Sequence, residues 1–132
     1  MYYTLWLFAW DDNFDEAPFD PSIPTQFDEI IKLHHLSLDY VTYHLGLGPK
    51  GTTEPKPPTH YSVIFAEAGK FFRKSLDERQ RRRFLKEISF YMECCLIHQE
   101  YIRSGKLPAN RAEYWRMRSG DSAYLTYCAI TE

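Results

Sequence analysis

Hydrophobic residues recur along much of the chain at spacings of three and four positions, which predicts a protein built of helices. Residues 2 to 16 begin as an apolar and aromatic run and end in the acidic stretch "DDNFDE". Pro18 and Pro21 follow this stretch and forbid the helix to continue. A second apolar stripe runs from Phe27 to Leu45, after a predicted capping box of Thr25 and Asp28. Neither strand-type alternation nor an internal repeat is visible, so the predicted fold class is all-α.

The next segment, residues 46 to 60, holds three glycines and four prolines and is predicted to be a loop inside one domain. A third helix is predicted from about Tyr61 to Lys74. Ser75 and Glu78 have the spacing of a capping box, which would open a long fourth helix ending near Arg103.

The fourth helix begins with "RQRRR", which we interpret as a solvated face whose arginines pair with nearby acids, in preference to a site for RNA. Its later part is far more apolar, as expected of a helix in the core of a bundle. The last segment, from residue 110 onward, carries two helical patterns on either side of "SGDS". Because both flanks are hydrophobic, the sequence predicts a break inside one long helix there.

Composition limits the classes of function. The chain has 132 residues, which is the size of one domain, and a net charge of -2, so no overall basic field indicates binding to nucleic acid or to an anionic membrane. The apolar run at the start is too short to span a bilayer and lacks the basic residues of a signal peptide. Cys94, Cys95 and Cys128 have no spacing typical of zinc sites, and reduced thiols in a cytoplasmic protein are the expectation.

The acids at the end of the first helix are the clearest candidate site. On a helix, Asp11 and Asp15 project from the same face, with Asp12 beside them. A cluster of acids at a helix C-terminus opposes the helix dipole, and a hard divalent cation such as Mg²⁺ or Mn²⁺ would compensate for it. An EF-hand loop starting at Asp11 is excluded, because Glu16 stands where the turn needs Gly. Solvated acids remain an alternative. The same helix would provide an apolar pocket wall one and two turns earlier, at Thr4, Leu7 and Phe8.

Other chemistry is not indicated. The five histidines form no H-x-x-x-H pair, so each is interpreted as a surface or core side chain: His34, His35, His44, His60 and His98. No P-loop, nucleophile elbow or dinucleotide fingerprint occurs in the sequence.

A second constellation lies at the predicted break, where "RMRSGDSAY" places Arg118, Asp121 and Ser122 in the pattern R-x-x-D-S. Together with the earlier D-D-x-x-D of Asp11, Asp12 and Asp15, the sequence resembles the class I terpene synthases, particularly the microbial type. That family has an aspartate-rich motif at the end of one bundle helix. At a break in a later helix it has an arginine that senses diphosphate, a linker aspartate and a small effector residue.

The resemblance implies a partial helical bundle of the class I terpenoid synthase fold and a Mg²⁺-dependent cyclase acting on a prenyl diphosphate, with Mn²⁺ as an alternative metal. Asp11 would ligate metal and Asp15 would assist, whereas Asp12 would ligate metal or pair with Arg118. Arg118 would be the diphosphate sensor, Asp121 the linker and Ser122 the effector. Partners would therefore be a prenyl diphosphate, most simply farnesyl diphosphate, and neither nucleic acid nor a membrane.

The family's second metal motif, similar to N-D-x-x-S-x-x-x-E, has no counterpart in residues 1 to 132. The chain is therefore expected to be the middle part of a synthase domain and to be inactive by itself. Two alternatives stay open at this point: a chain related to prenyl diphosphate synthases, and a non-catalytic helical interaction fragment. Product identity, substrate length and oligomeric state do not follow from the sequence.

Overall fold

The computed structural model describes residues 1–14 and 27–131. Within these ranges the backbone forms six α-helices and no strand, which confirms the all-α class: α1 (Tyr2–Phe14), α2 (Phe27–His44), α3 (Ser62–Ser75), α4 (Glu78–Ser104), α5 (Arg111–Asp121) and α6 (Tyr124–Thr131). None of these helices combines the length and the apolar character needed to cross a membrane. The end of the predicted first helix and the predicted cap Thr25 lie outside the described residues.

The described chain divides into two compact units, Met1–Arg82 and Arg83–Glu132. In the first unit, α3 packs against both α1 and α2. The predicted Pro/Gly-rich loop at 46–60 lies inside this unit and contains no helix or strand. It is therefore an internal connection and not a boundary between units.

Aromatic side chains form the core of the first unit. On α1, Trp6 is 1% and Trp10 0% exposed. The Trp6 ring lies edge-on against Phe65 of α3, with ring centroids 4.9 Å apart, and Trp10 makes a similar contact with His34 of α2. Residues 3, 6 and 10 share one helix face, so this face anchors α1 and fixes which side of the helix remains outside.

The junction between α3 and α4 differs in detail from the predicted one. Ser75 is the last residue of α3, and Leu76 is extended, so Ser75 cannot open the following helix. The capping box is formed instead by Asp77 and Gln80: Asp77 Oδ1 accepts the Gln80 N–H at 2.8 Å, and Gln80 Oε1 accepts the Asp77 N–H at 2.9 Å. The predicted box of Ser75 and Glu78 is therefore wrong, and its residues are displaced by two positions.

The charged start of α4 is only partly a solvated face. Arg82 is exposed and pairs with Glu78 at 2.6 Å, as the sequence predicted. Arg81 has a structural role that was not expected, because its Nη1 donates to the carbonyl oxygen of Leu45 at 2.7 Å. Leu45 is fully buried just after α2, so Arg81 satisfies a backbone acceptor at a helix end.

In the second unit, the start of α5 is fixed by polar contacts. Asn110 caps the helix by accepting the Glu113 N–H at 2.9 Å. The Glu113 carboxylate accepts the backbone N–H of Ala109 and the hydroxyl of Tyr101 on α4, each at 2.6 Å. The bond from Tyr101 to Glu113 connects α5 to α4 at this end.

Candidate functional site

Asp11 and Asp12, two of the three aspartates of the predicted metal motif, lie near the end of α1. Asp11 and Asp12 are in the last turns of α1, both are exposed, and no basic residue occupies the last turn. Two carboxylates at this end of a helix oppose its dipole, so a bound cation would relieve an unfavourable arrangement. Asp15, the third member of the predicted motif, lies outside the described residues.

The predicted pocket residues lie on different faces of α1. Phe8 is 59% exposed and Leu5 is 50% exposed, and Thr4 is half-buried. Leu7 is 5% exposed and belongs to the packed face with Trp6 and Trp10. Residues 5, 8 and 12 follow one helix face, so an exposed apolar stripe leads directly to the acidic end. Thr4 and Phe8 have access to this stripe, whereas Leu7 is a core residue in the structure.

The exposed stripe gives a testable expectation for the chain of residues 1–132. We expect it to bind a hydrophobic dye, and Leu5→Ser with Phe8→Ser to reduce the fluorescence of the bound dye, because these two side chains form a contiguous apolar surface. Val63→Ser with Phe71→Ser, on the exposed side of α3, is the matched control. Equal losses from the two pairs would contradict a special role for the α1 stripe.

The predicted break in the last helical segment is confirmed. Helix α5 ends at Asp121 and α6 begins at Tyr124, and Ala123 between them has φ of 55°. This left-handed conformation is unfavourable for a residue with a Cβ atom, and strained backbone of this kind is often found at functional sites. The Ser122 hydroxyl donates to the Ser119 carbonyl at 3.0 Å and so satisfies an acceptor at the end of α5.

Arg118 and Asp121, predicted separately as sensor and linker, form an ion pair at the break. Nη1 of Arg118 lies 2.8 Å from Oδ2 of Asp121. The Asp121 side chain is only 6% exposed, whereas 46% of the Arg118 side chain is exposed. The carboxylate is therefore fixed in the protein, while the guanidinium retains surface with which to bind an anion.

A third residue at this site was not found by sequence reasoning. Nδ1 of His98, on α4, lies 3.2 Å from the same oxygen of Asp121. The sequence interpretation of His98 as an ordinary surface or core residue rested on the absence of metal-ligand spacing. No local pattern could have indicated the contact, because His98 and Asp121 lie on different helices.

A close approach of α5 to α4 at Gly120 supports this arrangement. Gly120 is buried against Cys94 and Phe90, and a Cβ at residue 120 would overlap the Cys94 sulfur. Burial, with smaller contributions from Glu93 and Asp121, raises the pKa of the Cys94 thiol to about 11. Cys94 is therefore a neutral packing residue near neutral pH. All three cysteines are free thiols, in agreement with the sequence expectation.

The donor set at the end of α1 suits a hard cation. Asp11 and Asp12 supply carboxylate oxygens, which are the ligands that Mg²⁺ and Mn²⁺ prefer. Residues 1–14 and 27–131 contain no cluster of three or more candidate metal-ligating side chains, and Asp15 lies outside these ranges. The two described aspartates are thus compatible with a metal site to which further ligands contribute.

Comparison with known proteins places the chain in a family. Residues 2–132 match the model of terpene synthase family 2, C-terminal metal binding. The chain is also 31% identical over 136 aligned residues to the sesquiterpene cyclase hepA of Aspergillus oryzae, an alignment that covers 99% of this chain and 36% of that protein. No solved structure matches the chain. The chain belongs to terpene synthase family 2 and spans about a third of the length of this curated relative.

Proposed function

We propose that the chain forms part of a Mg²⁺-dependent terpene cyclase that ionises farnesyl diphosphate and releases diphosphate. The observation that carries the proposal is the family match over residues 2–132. The Arg118–Asp121 pair at the helix break supports it, because a fixed carboxylate beside a half-exposed guanidinium suits the binding of an anionic leaving group. Farnesyl diphosphate is chosen because the relative is a sesquiterpene cyclase.

In this proposal, Asp11 ligates the metal directly and Asp15 assists it. Asp12 contributes a further oxygen beside them. When bound, Mg²⁺ supplies positive charge that neutralises the departing diphosphate. Both described aspartates are exposed at the end of α1, so their carboxylates are accessible to an ion and its water ligands.

The other residues act on the substrate itself. Arg118 donates from its guanidinium to diphosphate oxygens, and the contact strengthens as negative charge develops on the leaving group. Asp121 holds Arg118, and Ser122 shapes the backbone at the break. Phe8 contributes an aromatic face beside the reacting chain, where it stabilises positive charge and excludes water. Phe8 fits this role because 59% of it is exposed on the side of α1 that carries Asp12.

The assay uses the complete enzyme, meaning the chain joined to a segment that supplies the second metal motif. We expect it to release diphosphate from farnesyl diphosphate in Mg²⁺ and to form a hydrocarbon detectable by gas chromatography. Residues 1–132 alone are expected to give no turnover, because their sequence lacks the N-x-x-x-S-x-x-x-E pattern. Equal turnover of the complete enzyme in excess chelator would contradict the proposed metal dependence.

A further inference from the structure

Two side chains contact the same carboxylate oxygen of Asp121, Oδ2. Arg118 Nη1 is 2.8 Å and His98 Nδ1 is 3.2 Å from Oδ2. Arg118 lies three residues earlier on the same helix, so that contact can form within α5 alone. His98 lies on α4, so its contact connects the end of α5 to a separate helix.

The position of Asp121 makes this second contact energetically significant. A carboxylate that is 6% exposed has lost most of its hydration, and at the last residue of a helix it also faces the negative end of the dipole. Both costs are reduced by donors to the carboxylate. An N–H at Nδ1 of His98 would provide such a donor, with 31% of the His98 side chain still exposed.

We propose that His98 is a positioning residue for the leaving-group site. It holds Asp121 in one orientation against α4, and Asp121 in turn holds the Arg118 guanidinium. His98 itself contacts neither metal nor substrate in this proposal. The inference rests on the proposed function of Arg118 as the residue that binds diphosphate.

Sharing of the oxygen explains why His98 affects Arg118. His98 Nδ1 and Arg118 Nη1 both lie close to Oδ2, so Arg118 shares this acceptor with His98. With 46% of its side chain exposed, Arg118 can also bind a second anion. Without His98, Asp121 would lose this contact with α4 and would hold the Arg118 side chain less firmly. The guanidinium would then be less well placed for the substrate, and a small misplacement is costly in a preorganised site.

The identity of the contacting nitrogen provides a sharp test. The amide nitrogen of Asn can occupy approximately the position of Nδ1 in His, whereas the amide of Gln extends to approximately the position of Nε2. We therefore expect His98→Asn to retain kcat within about threefold, and His98→Gln to lower it by about 10- to 100-fold, the range typical of supporting contacts around a ligand site. KM should change less than kcat, because Arg118 acts most strongly as charge develops.

Two further measurements separate positioning from a general structural effect. In an Asp121→Ala background, His98→Gln should cause no additional loss, since His98 acts through Asp121. His35→Gln, at an exposed histidine of α2, is the matched control and should leave kcat unchanged. Thermal melts of the Asn and Gln variants should agree. Equal loss of activity in both variants would overturn the positioning role, as would full activity in both.

Binding of inorganic pyrophosphate in Mg²⁺, measured by calorimetry with the complete enzyme, distinguishes this inference from the proposed function. His98→Gln should weaken binding and His98→Asn should retain it. An enzyme that binds pyrophosphate but does not ionise farnesyl diphosphate would contradict the proposed function. The pyrophosphate affinities of the two His98 variants could still be compared in that case. Equal pyrophosphate affinities of the two variants would overturn the inference.

Discussion

Replacing Asp11 by Ala in the complete enzyme is expected to lower the rate of diphosphate release ~10²-fold or more, and Arg118→Ala is expected to have an effect of similar size. Asp11 is proposed to hold the cation that withdraws the leaving group, and Arg118 to contact its oxygens. Both interactions strengthen as the carbon–oxygen bond ionises, so their loss should reduce kcat more than substrate affinity. Steady-state release of pyrophosphate over a range of substrate and Mg²⁺ concentrations measures both quantities.

The chain offers a matched control for each substitution. Arg116 is an exposed arginine on the same helix as Arg118, and Asp39 is an exposed aspartate on α2. Arg116→Ala and Asp39→Ala should each leave kcat within about threefold, the change expected of surface substitutions away from a site. Full activity of Asp11→Ala would remove the metal role assigned to this residue. Equal losses in Arg116→Ala and Arg118→Ala would indicate a general effect of charge on α5.

Ser122 should be far less sensitive than Arg118. Its hydroxyl donates to the Ser119 carbonyl, and Ser122→Ala removes that single exposed bond, which typically contributes about 1 kcal/mol. An effector at a helix break can act through its backbone carbonyl, which the substitution preserves. We therefore expect Arg118→Ala to lose far more activity than Ser122→Ala. This comparison tests whether the charge of Arg118 or the side-chain packing of Ser122 contributes more to activity at the break.

The features predicted from the sequence are those with local causes. The helices could be predicted because apolar spacing is a property of adjacent turns, and the break could be predicted because apolar residues flank "SGDS" on both sides. The capping box of α4 could not be assigned correctly. Ser75 with Glu78 and Asp77 with Gln80 have the same spacing, and the choice depends on where α3 ends. That end is set by tertiary packing as well as by propensity.

The sequence predicted those parts of the candidate site whose residues lie close together in the chain. It did not predict the contacts between residues on different helices. Arg118 and Asp121 are three residues apart, so one pattern contains both. His98 reaches Asp121 because α5 approaches α4 closely at Gly120. This approach has no counterpart in the spacing of apolar residues along the sequence. Similarly, periodicity on α1 places Leu7 near Asp11, but the packing of the tryptophans decides that Leu7 lies in the core.

Gly120→Ala is expected to destabilise the protein by about 1–3 kcal/mol and to lower activity further than this loss of stability explains. An added Cβ would overlap the Cys94 sulfur, lie 2.7 Å from the Cys94 Cβ and lie 3.0 Å from Cε1 of Phe90. The two helices must therefore separate. Because the next residue is Asp121, the separation would also lengthen its contact with His98, and the Arg118–Asp121 pair would no longer be held against α4 by this contact. Thermal melts and kcat of the complete enzyme measure the two effects.

Gly48→Ala is the matched control, because a Cβ there would meet its nearest neighbours at 3.7 and 3.8 Å, which is ordinary contact. It should change the melting temperature little, whereas Gly120→Ala should lower it by several degrees. Cys94→Ala should restore part of the stability lost in Gly120→Ala, since it removes the overlapping sulfur, and the two substitutions should be non-additive. Additive losses would show that Gly120 and Cys94 do not share this contact. A stable, fully active Gly120→Ala would show that the close approach of α5 to α4 is not required for the site.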